Sequence, residues 1–483
     1  MKRKFFTNLF LILLLNLLIK PFWVFGIDRT VQNLVGSSEY GLFFSLFNFT
    51  LLFNIFLDLG ITNYNNRNLS IDASKVQFYI SHIAFIRFIL GLLYAIITFF
   101  AGWLLGYEKR QLWLLFVLII NQFLSSFILY LRSNISGMQF YTTDSIFSVL
   151  DRTIMIVLCS LALWGHVLGT PFKIEWFAYI QTLSYAITCF VVLSVVLSKS
   201  KGIKITFQMD VAKKIILESL PFALLIFLMT IYNRTDSIML ERLVSNGAKE
   251  AGIYAQSFRI LDALIMFAYL FPTLLYPMFS RLIGKGEDVK PLVSSSFSLL
   301  FVISVMTTFS FVAYSSPIMS LLYKDAGNSS VSVFSILIAG FIPMSVSYIF
   351  GTLLTAKGML KQLNYVALFS VVVNISLNLI VIPVFGAKGA AISCLVTQSI
   401  SCILQIVLCH SAGLFGFQKS DILRYSCFIL LSVLFIYGIH ERIEKMIPGI
   451  LVSALVSGIF GIITGILSIK GIKQKVIQYL RDE

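Results

Sequence analysis

The sequence predicts an all-α polytopic membrane protein of about 14 transmembrane helices, built as two six-helix repeats plus two C-terminal helices. Three observations carry this. Of 483 residues, 58% are hydrophobic and only 12% are charged. The apolar residues fall in continuous runs rather than in alternation. Two short motifs recur at nearly the same offset along the chain.

Composition comes first. Soluble domains are roughly 45–50% apolar and about 25% charged. Mean hydropathy here is +0.90, and a single soluble core stops growing beyond about 250–300 residues. The remaining solvent for about 280 hydrophobic residues is lipid. This excludes a soluble enzyme, a disordered chain and a single-anchor protein. Continuous apolar runs also disfavour an outer-membrane barrel, whose strands alternate. Cys159, Cys189, Cys394, Cys402, Cys409 and Cys427 lie in or beside apolar stretches with no CxxC, and read as buried small hydrophobes. Four scattered histidines give no zinc or haem site. Without a Walker loop, a GxSxG or an HExxH, neither enzyme activity nor a metal or cofactor is expected.

The apolar runs cover 5–26, 40–60, 77–105, 112–131, 143–165, 175–197, 215–240, 251–280, 293–322, 331–355, 362–384, 388–409, 422–439 and 447–469. The first follows Met1-Lys2-Arg3-Lys4 but lacks a small-x-small cleavage site, so it reads as a retained helix. With an N-terminus in the cytoplasm, alternate loops collect 22 Lys and Arg on the cytoplasmic side and 10 on the other, and 5 fall within spans. The bias satisfies the positive-inside rule with both termini cytoplasmic. It accounts for the net charge of +15 without nucleic acid.

The largest polar segment, 199–214, reads as a cytoplasmic linker between a lobe at 1–198 and a second at 215–410, with two extra helices and a basic tail at 411–483. Glu39-Tyr40-Gly41-Leu42-Phe43 is echoed by Glu250-Ala251-Gly252-Ile253-Tyr254, and Phe147-Ser148-Val149 by Phe369-Ser370-Val371. An even repeat keeps both lobes in one orientation, a transporter plan in which the site lies in a cavity between the halves.

Charge inside lipid marks the candidate site. A central Lys or Arg costs at least about 2.5–3.5 kcal/mol on insertion scales. Lys20 precedes Pro21, which kinks the first span; a snorkelling lysine is the competing reading. Arg87 and Arg152 stand in spans three and five with no acid on the same face, and structural roles compete evenly with binding. Arg234 and Asp236 in span seven point to different faces. Arg259 and Asp262 in span eight are spaced to pair. Asp58, at the end of span two, is explained by solvation. Arginine's fork suits phosphate oxygens. Lys20, Arg87, Arg152, Arg234 and Arg259 therefore read as binding an anionic amphiphile, with Asp236 and Asp262 as coupling residues.

Val35-Gly36-Ser37-Ser38-Glu39-Tyr40-Gly41 and Leu57-Asp58-Leu59-Gly60-Ile61 resemble the opening of bacterial polysaccharide repeat-unit flippases. Arg234-Thr235-Asp236-Ser237-Ile238-Met239-Leu240 with Gly252-Ile253-Tyr254 and Arg259 resembles their helices seven and eight. Tyr276-Pro277-Met278-Phe279-Ser280-Arg281 and Ile382-Pro383-Val384-Phe385-Gly386-Ala387-Lys388-Gly389-Ala390-Ala391 resemble two later motifs, the last shared with multidrug extruders and peptidoglycan-precursor flippases. The resemblance implies two helical lobes around a V-shaped cavity. It also implies translocation of undecaprenyl-pyrophosphate-linked oligosaccharide across the bacterial inner membrane for surface polysaccharide, such as lipopolysaccharide O-antigen. The expected partners are a polyprenyl-pyrophosphate-linked glycan, membrane lipids and other polysaccharide-assembly proteins. The competing readings are an ion-coupled small-molecule exporter of the same superfamily and, more weakly, a membrane-embedded glycan ligase or polymerase.

Overall fold

The computed structural model describes residues 15–16, 18–62, 65, 69, 76–165, 169–199 and 209–467. Among them every regular element is a helix. That is the outcome lipid imposes on a chain whose backbone polar groups must be satisfied within each segment. Among the described residues, twelve helices are long and apolar enough to cross a membrane, from His82–Leu104 to Met446–Ile463, and they correspond to expected spans three to fourteen. Half of the first expected span lies outside the described residues, as do Lys2-Arg3-Lys4, most of the 199–214 linker and the end of the basic tail.

The first two spans differ from the expected limits. Helix continues through a π-helical turn, Trp23–Asp28, just after Pro21, where the Arg29 amide reaches back to the Val24 carbonyl. It then runs on to Gly36, whose φ of 82° and ψ of 164° interrupt helix Arg29–Leu52. Only glycine adopts that conformation readily. The Tyr40 hydroxyl donates to Asp28 Oδ2 at 2.7 Å, although a straight helix would hold residues twelve apart about 18 Å from one another. Gly36 is therefore the bend of a helical hairpin, and the expected loop around Arg29 is helical instead. The second arm is too polar to count among the twelve apolar spans. Tyr40, Ser45, Asn48 and Thr50 on it are nonetheless all buried, because it is wrapped by protein rather than lipid.

The rest of the molecule is apolar outside and polar within. Phe190, Ile380 and Leu455 are about 70% exposed, whereas Asn374, Asn378, Ser401 and Thr397 are buried. Lipid rewards the first set and penalises unpaired members of the second.

Cα packing divides the chain into two compact units, Met1–Gly252 and Ile253–Glu483. In the first, Lys109–Gly137 packs on Ile174–Lys199, Val76–Leu104 and Arg29–Leu52, and Met209–Leu243 packs on Arg29–Leu52. A close approach fixes the last region. A Cβ on Gly41 would stand 1.9 Å from the Ala248 carbonyl oxygen, and one on Gly252 would stand 1.9 Å from the Ser37 carbonyl oxygen. The two glycines are matching members of the repeated Glu39–Phe43 and Glu250–Tyr254 motifs. The motif thus marks where backbone meets backbone, the use membrane helices make of small residues. Gln32 Nε2 donates to the Gly252 carbonyl at 3.0 Å and seals the contact.

In the second unit, Leu360–Phe385 and Ala387–Ser411 form a hairpin about Gly386, and Phe341–Ala356 packs on Ala387–Ser411, Leu270–Gly284 and Lys290–Ala313. The last two helices, Lys419–Arg442 and Met446–Ile463, also dock on Lys290–Ala313. Tyr425 meets Phe297 edge-on at 5.2 Å and bonds to Ser298 Oγ at 2.8 Å.

Candidate functional site

Three charged clusters occupy apolar helices. The first joins Lys20 to Arg152. Asn16, one turn before Lys20, donates from Nδ2 to Ser148 Oγ at 3.1 Å. Ser148 is one turn before Arg152, so this bond sets the register of the two helices. Lys20 then lies within electrostatic reach of Arg152, Asp151 and Arg132. Arg132 is committed to Asp144, Nε to Oδ1 at 2.8 Å. Arg152 has Asp151 Oδ2 at 3.6 Å and the Trp23 ring centroid at 5.3 Å, and its side chain is 30% exposed. Trp23 is stacked on Phe177 at 5.7 Å, which gives the guanidinium a rigid face. The buried Tyr185 hydroxyl lies near both Arg152 and Ser125. The arrangement holds two half-buried cations side by side, with one carboxylate close to both.

The second cluster is closed. Arg87 is 2% exposed. Its Nη1 donates to the Leu57 carbonyl at 2.9 Å and to Ser126 Oγ at 2.8 Å, and its Nη2 donates to Asp58 and Thr62. The guanidinium also faces the Tyr130 ring at 5.3 Å. Sequence spacing gave Arg87 no acid because its acid is on another helix, and Asp58, which solvation seemed to explain, is that partner. The pair sits at a break. Helix Ile55–Asp58 ends at Leu59, with φ of 44°, and Gly60, with φ of 80°. Arg87 holds the Leu57 carbonyl and the Asp58 carboxylate before that break and the Thr62 hydroxyl after it. Beside it lies a cavity of about 270 Å³ lined by Asn54, Asp58, Thr62, Gln122, Ser125, Ser126 and Thr230 among apolar neighbours.

Helix Met209–Leu243 carries the third cluster. Arg234 Nη1 approaches Asn48 Oδ1 at 3.4 Å. Asn48 Nδ2 is tied to the Phe44 carbonyl at 2.9 Å, which turns Oδ1 toward the arginine. Asp236 is 1% exposed, on a different face from half-buried Arg234, as helical spacing requires. In the second unit, Arg259 and Asp262 are both half-buried on helix Gly247–Ala268, one turn apart. At the membrane boundary, Arg242 lies 3.7 Å from the centroid of the Tyr107 ring. Burial pushes that phenol up to about 12, so the ring stays neutral beneath the cation. Glu39 of the repeated motif is gripped by Arg110, Nη1 to Oε1 at 2.9 Å and Nη2 to Oε2 at 2.6 Å, a bidentate clamp on an exposed edge.

The structure thus brings Lys20 and Arg152 together, sets Arg87 apart in an ion pair with Asp58, and carries Arg234 on a further helix beside Asn48. Sequence reasoning missed Asn48, Asn54, Gln122 and Tyr185. Their signal was present: amides and a phenol inside apolar runs are as costly to leave unpaired as they are easy to overlook.

A family model described as "Polysaccharide biosynthesis protein" matches residues 6–283, and a second, described as MatE, matches residues 221–380. A probable low-salt glycan biosynthesis flippase, Agl15, of Haloferax volcanii is 26% identical over 204 residues, 41% of this chain and 43% of that protein. An uncharacterized membrane protein of Methanocaldococcus jannaschii is 25% identical over 202 residues, 41% of this chain and 45% of its own length. The matches therefore span less than half the length of either curated relative. In fold, the chain is similar to the lipid II flippase MurJ in an inward closed conformation, with a TM-score of 0.73, 12% identity, and 94% and 98% of the two chains covered. It is also similar to an inward-facing multidrug resistance MATE family transporter of the MOP superfamily, with a TM-score of 0.60, 16% identity, and 80% and 94% covered.

Proposed function

The chain belongs to the polysaccharide biosynthesis protein family, and on that premise we propose that it is a flippase for lipid-linked glycans that works by alternating access. The cargo class is an oligosaccharide repeat unit on undecaprenyl pyrophosphate, moved from the cytoplasmic to the outer leaflet of a bacterial inner membrane for surface polysaccharide such as O-antigen. Both termini are cytoplasmic in this reading, as the lysine and arginine bias supports. The division into two six-helix lobes, at 1–198 and 215–410, belongs to the same reading, and the recurrence of the Glu39–Phe43 motif at Glu250–Tyr254 supports it.

The observation that carries the proposal is the pairing of Lys20 with Arg152. Two like charges in an apolar helix pair raise each other's cost, and Lys20 stands in electrostatic reach of Arg152. An entering pyrophosphate brings negative charge to both and accepts charge-assisted hydrogen bonds from them. Arg234 is a further donor in the same unit, and Arg259 is the second unit's candidate. Asp236 and Asp262 are the proposed coupling residues, each competing with the headgroup for an arginine so that the attraction weakens on release. Arg87 drops out of the headgroup set, because both of its terminal nitrogens are engaged by Leu57, Ser126, Asp58 and Thr62.

The match of residues 221–380 to the MatE model favours the second reading, an ion-coupled small-molecule exporter. One experiment separates the two. Expressed in a strain that lacks its own repeat-unit flippase, the protein should restore surface glycan and clear the accumulated lipid-linked repeat units. Persistent accumulation across several glycan types, together with raised tolerance to cationic drugs, moves the assignment to the exporter.

A further inference from the structure

The cavity beside the Arg87–Asp58 pair differs chemically from the cation cluster. Its one charged lining residue is Asp58, whose carboxylate is already matched by Arg87. The remaining polar lining is neutral: Asn54, Thr62, Gln122, Ser125, Ser126 and Thr230. Two of these amides have hydrogen-bonding capacity to spare. Asn54 Oδ1 is buried and accepts no hydrogen bond from any described residue. Gln122 is 8% exposed, and its side-chain amide engages no described residue. A buried amide without a partner costs about 1–3 kcal/mol, and native structures hold few of them. Leu52, Ile55, Phe227 and Leu129 supply apolar wall.

Neutral amides and hydroxyls beside apolar wall, with no net charge, fit a ring that carries hydroxyls at its edge and C–H groups on its face. The volume of about 270 Å³ lies at the small end of ligand pockets, roughly 300–1,000 Å³, and fits a single ring rather than a long glycan. Position agrees with chemistry. Ser125 lines this cavity and, like Arg152, lies near the Tyr185 hydroxyl, so the neutral pocket and the cation cluster are one tyrosine apart. In a pyrophosphate-linked glycan the first sugar is bonded directly to the phosphate. We infer that this cavity is a subsite for one neutral sugar ring, read by the amides of Gln122 and Asn54. The inference rests on the flippase reading and adds to it a sugar site separate from the cations.

The test uses the full chain in lipid nanodiscs and two kinds of probe. Saturation-transfer NMR is recorded with methyl glycosides of glucose, galactose, N-acetylglucosamine, rhamnose and glucuronic acid. At least one neutral glycoside should receive saturation and the glucuronide should not, since the cavity has no free cation for its carboxylate. Gln122→Leu and Asn54→Leu should each cut the signal about three- to tenfold, the loss of one hydrogen bond, with a wild-type elution profile. If either variant fails to fold, Gln122→Met and Asn54→Ser take its place, and the neutral-over-acidic preference of the wild-type protein is tested regardless. Absence of signal from every neutral glycoside overturns the inference, as does equal signal from the glucuronide or an unchanged signal in the substituted proteins. Native mass spectrometry with bare undecaprenyl pyrophosphate is the second arm. Lipid bound without any glycoside signal removes the sugar subsite alone. Glycoside signal without lipid binding leaves the subsite standing and removes the lipid-carrier reading.

Discussion

Arg87 and Arg152 stand on apolar helices of the same unit, and their sequence surroundings gave them equal claims to the site. The structure treats them differently. Arg87 is enclosed, with a carboxylate, a carbonyl, two hydroxyls and an aromatic ring around one guanidinium. Arg152 keeps 30% of its side chain exposed and has another cation, Lys20, in electrostatic reach. A charge in lipid becomes structural when it is enclosed against an opposite charge, and it is placed for binding when it stays half-exposed with a like charge nearby.

The largest effect should come from opening the closed cluster. Arg87→Ala leaves Asp58 and the Leu57 carbonyl without their donor at a helix break. Removing one member of a fully buried ion pair costs about 3–5 kcal/mol; here Arg87 is buried and Asp58 is 32% exposed, so the cost is somewhat lower and the variant should lose folded yield in detergent. Arg87→Met combined with Asp58→Leu should recover stability to within about 1 kcal/mol of the wild-type protein, since well-packed apolar replacement of a buried pair is nearly neutral. A thermal melt of the purified proteins checks both, and an Arg87→Ala melt like the wild type's would break the contrast.

Gly41→Ala probes the frame rather than a charge. Its new methyl would fall 1.9 Å from the Ala248 carbonyl oxygen, and the backbone must part to admit it. Overpacking of this kind costs about 1–3 kcal/mol, visible as a lower melting temperature. The same substitution at Gly438, where a Cβ meets nothing within 4 Å, should leave the melt unchanged.

Arg152→Ala should have the smallest effect on stability, below about 1 kcal/mol, because half-exposed ion pairs contribute little. Removing one of two like charges also relieves Lys20. Activity should move the other way, with glycan export largely lost in Arg152→Ala and partly kept in Arg152→Lys. A stable but inactive Arg152→Ala beside an unstable Arg87→Ala sharpens the comparison, and the reverse pattern would exchange the two roles.

Much of the fold is legible in the sequence because lipid demands long apolar helices, and spans three to fourteen needed only that rule. The first hairpin was less legible. Its second arm is buried by protein, so it is polar enough to blur its limits, and the bend depends on the backbone of Gly36 alone. The repeated motif was visible, but the meeting of Gly41 with Gly252 was not, since contact between repeats leaves no mark in spacing. Among the site residues, the cations stood out for their cost in lipid. Which of them were already paired did not, because the Arg87–Asp58 pair crosses between helices. Asn54 and Gln122 were passed over for a related reason: a lone amide in an apolar run carries a cost, but reads as a spacer until a cavity is seen beside it.

The central claim is that the open cations serve a lipid pyrophosphate. The most direct measurement reconstitutes the protein in liposomes with a fluorescent glycan on undecaprenyl pyrophosphate, and follows over time the fraction exposed to a membrane-impermeant quencher. The wild-type protein should carry the labelled lipid between leaflets, Arg152→Ala should match empty liposomes, and Arg152→Lys should fall between them. Equal transfer by the wild type and Arg152→Ala, or wild-type liposomes no faster than empty ones, would contradict the account.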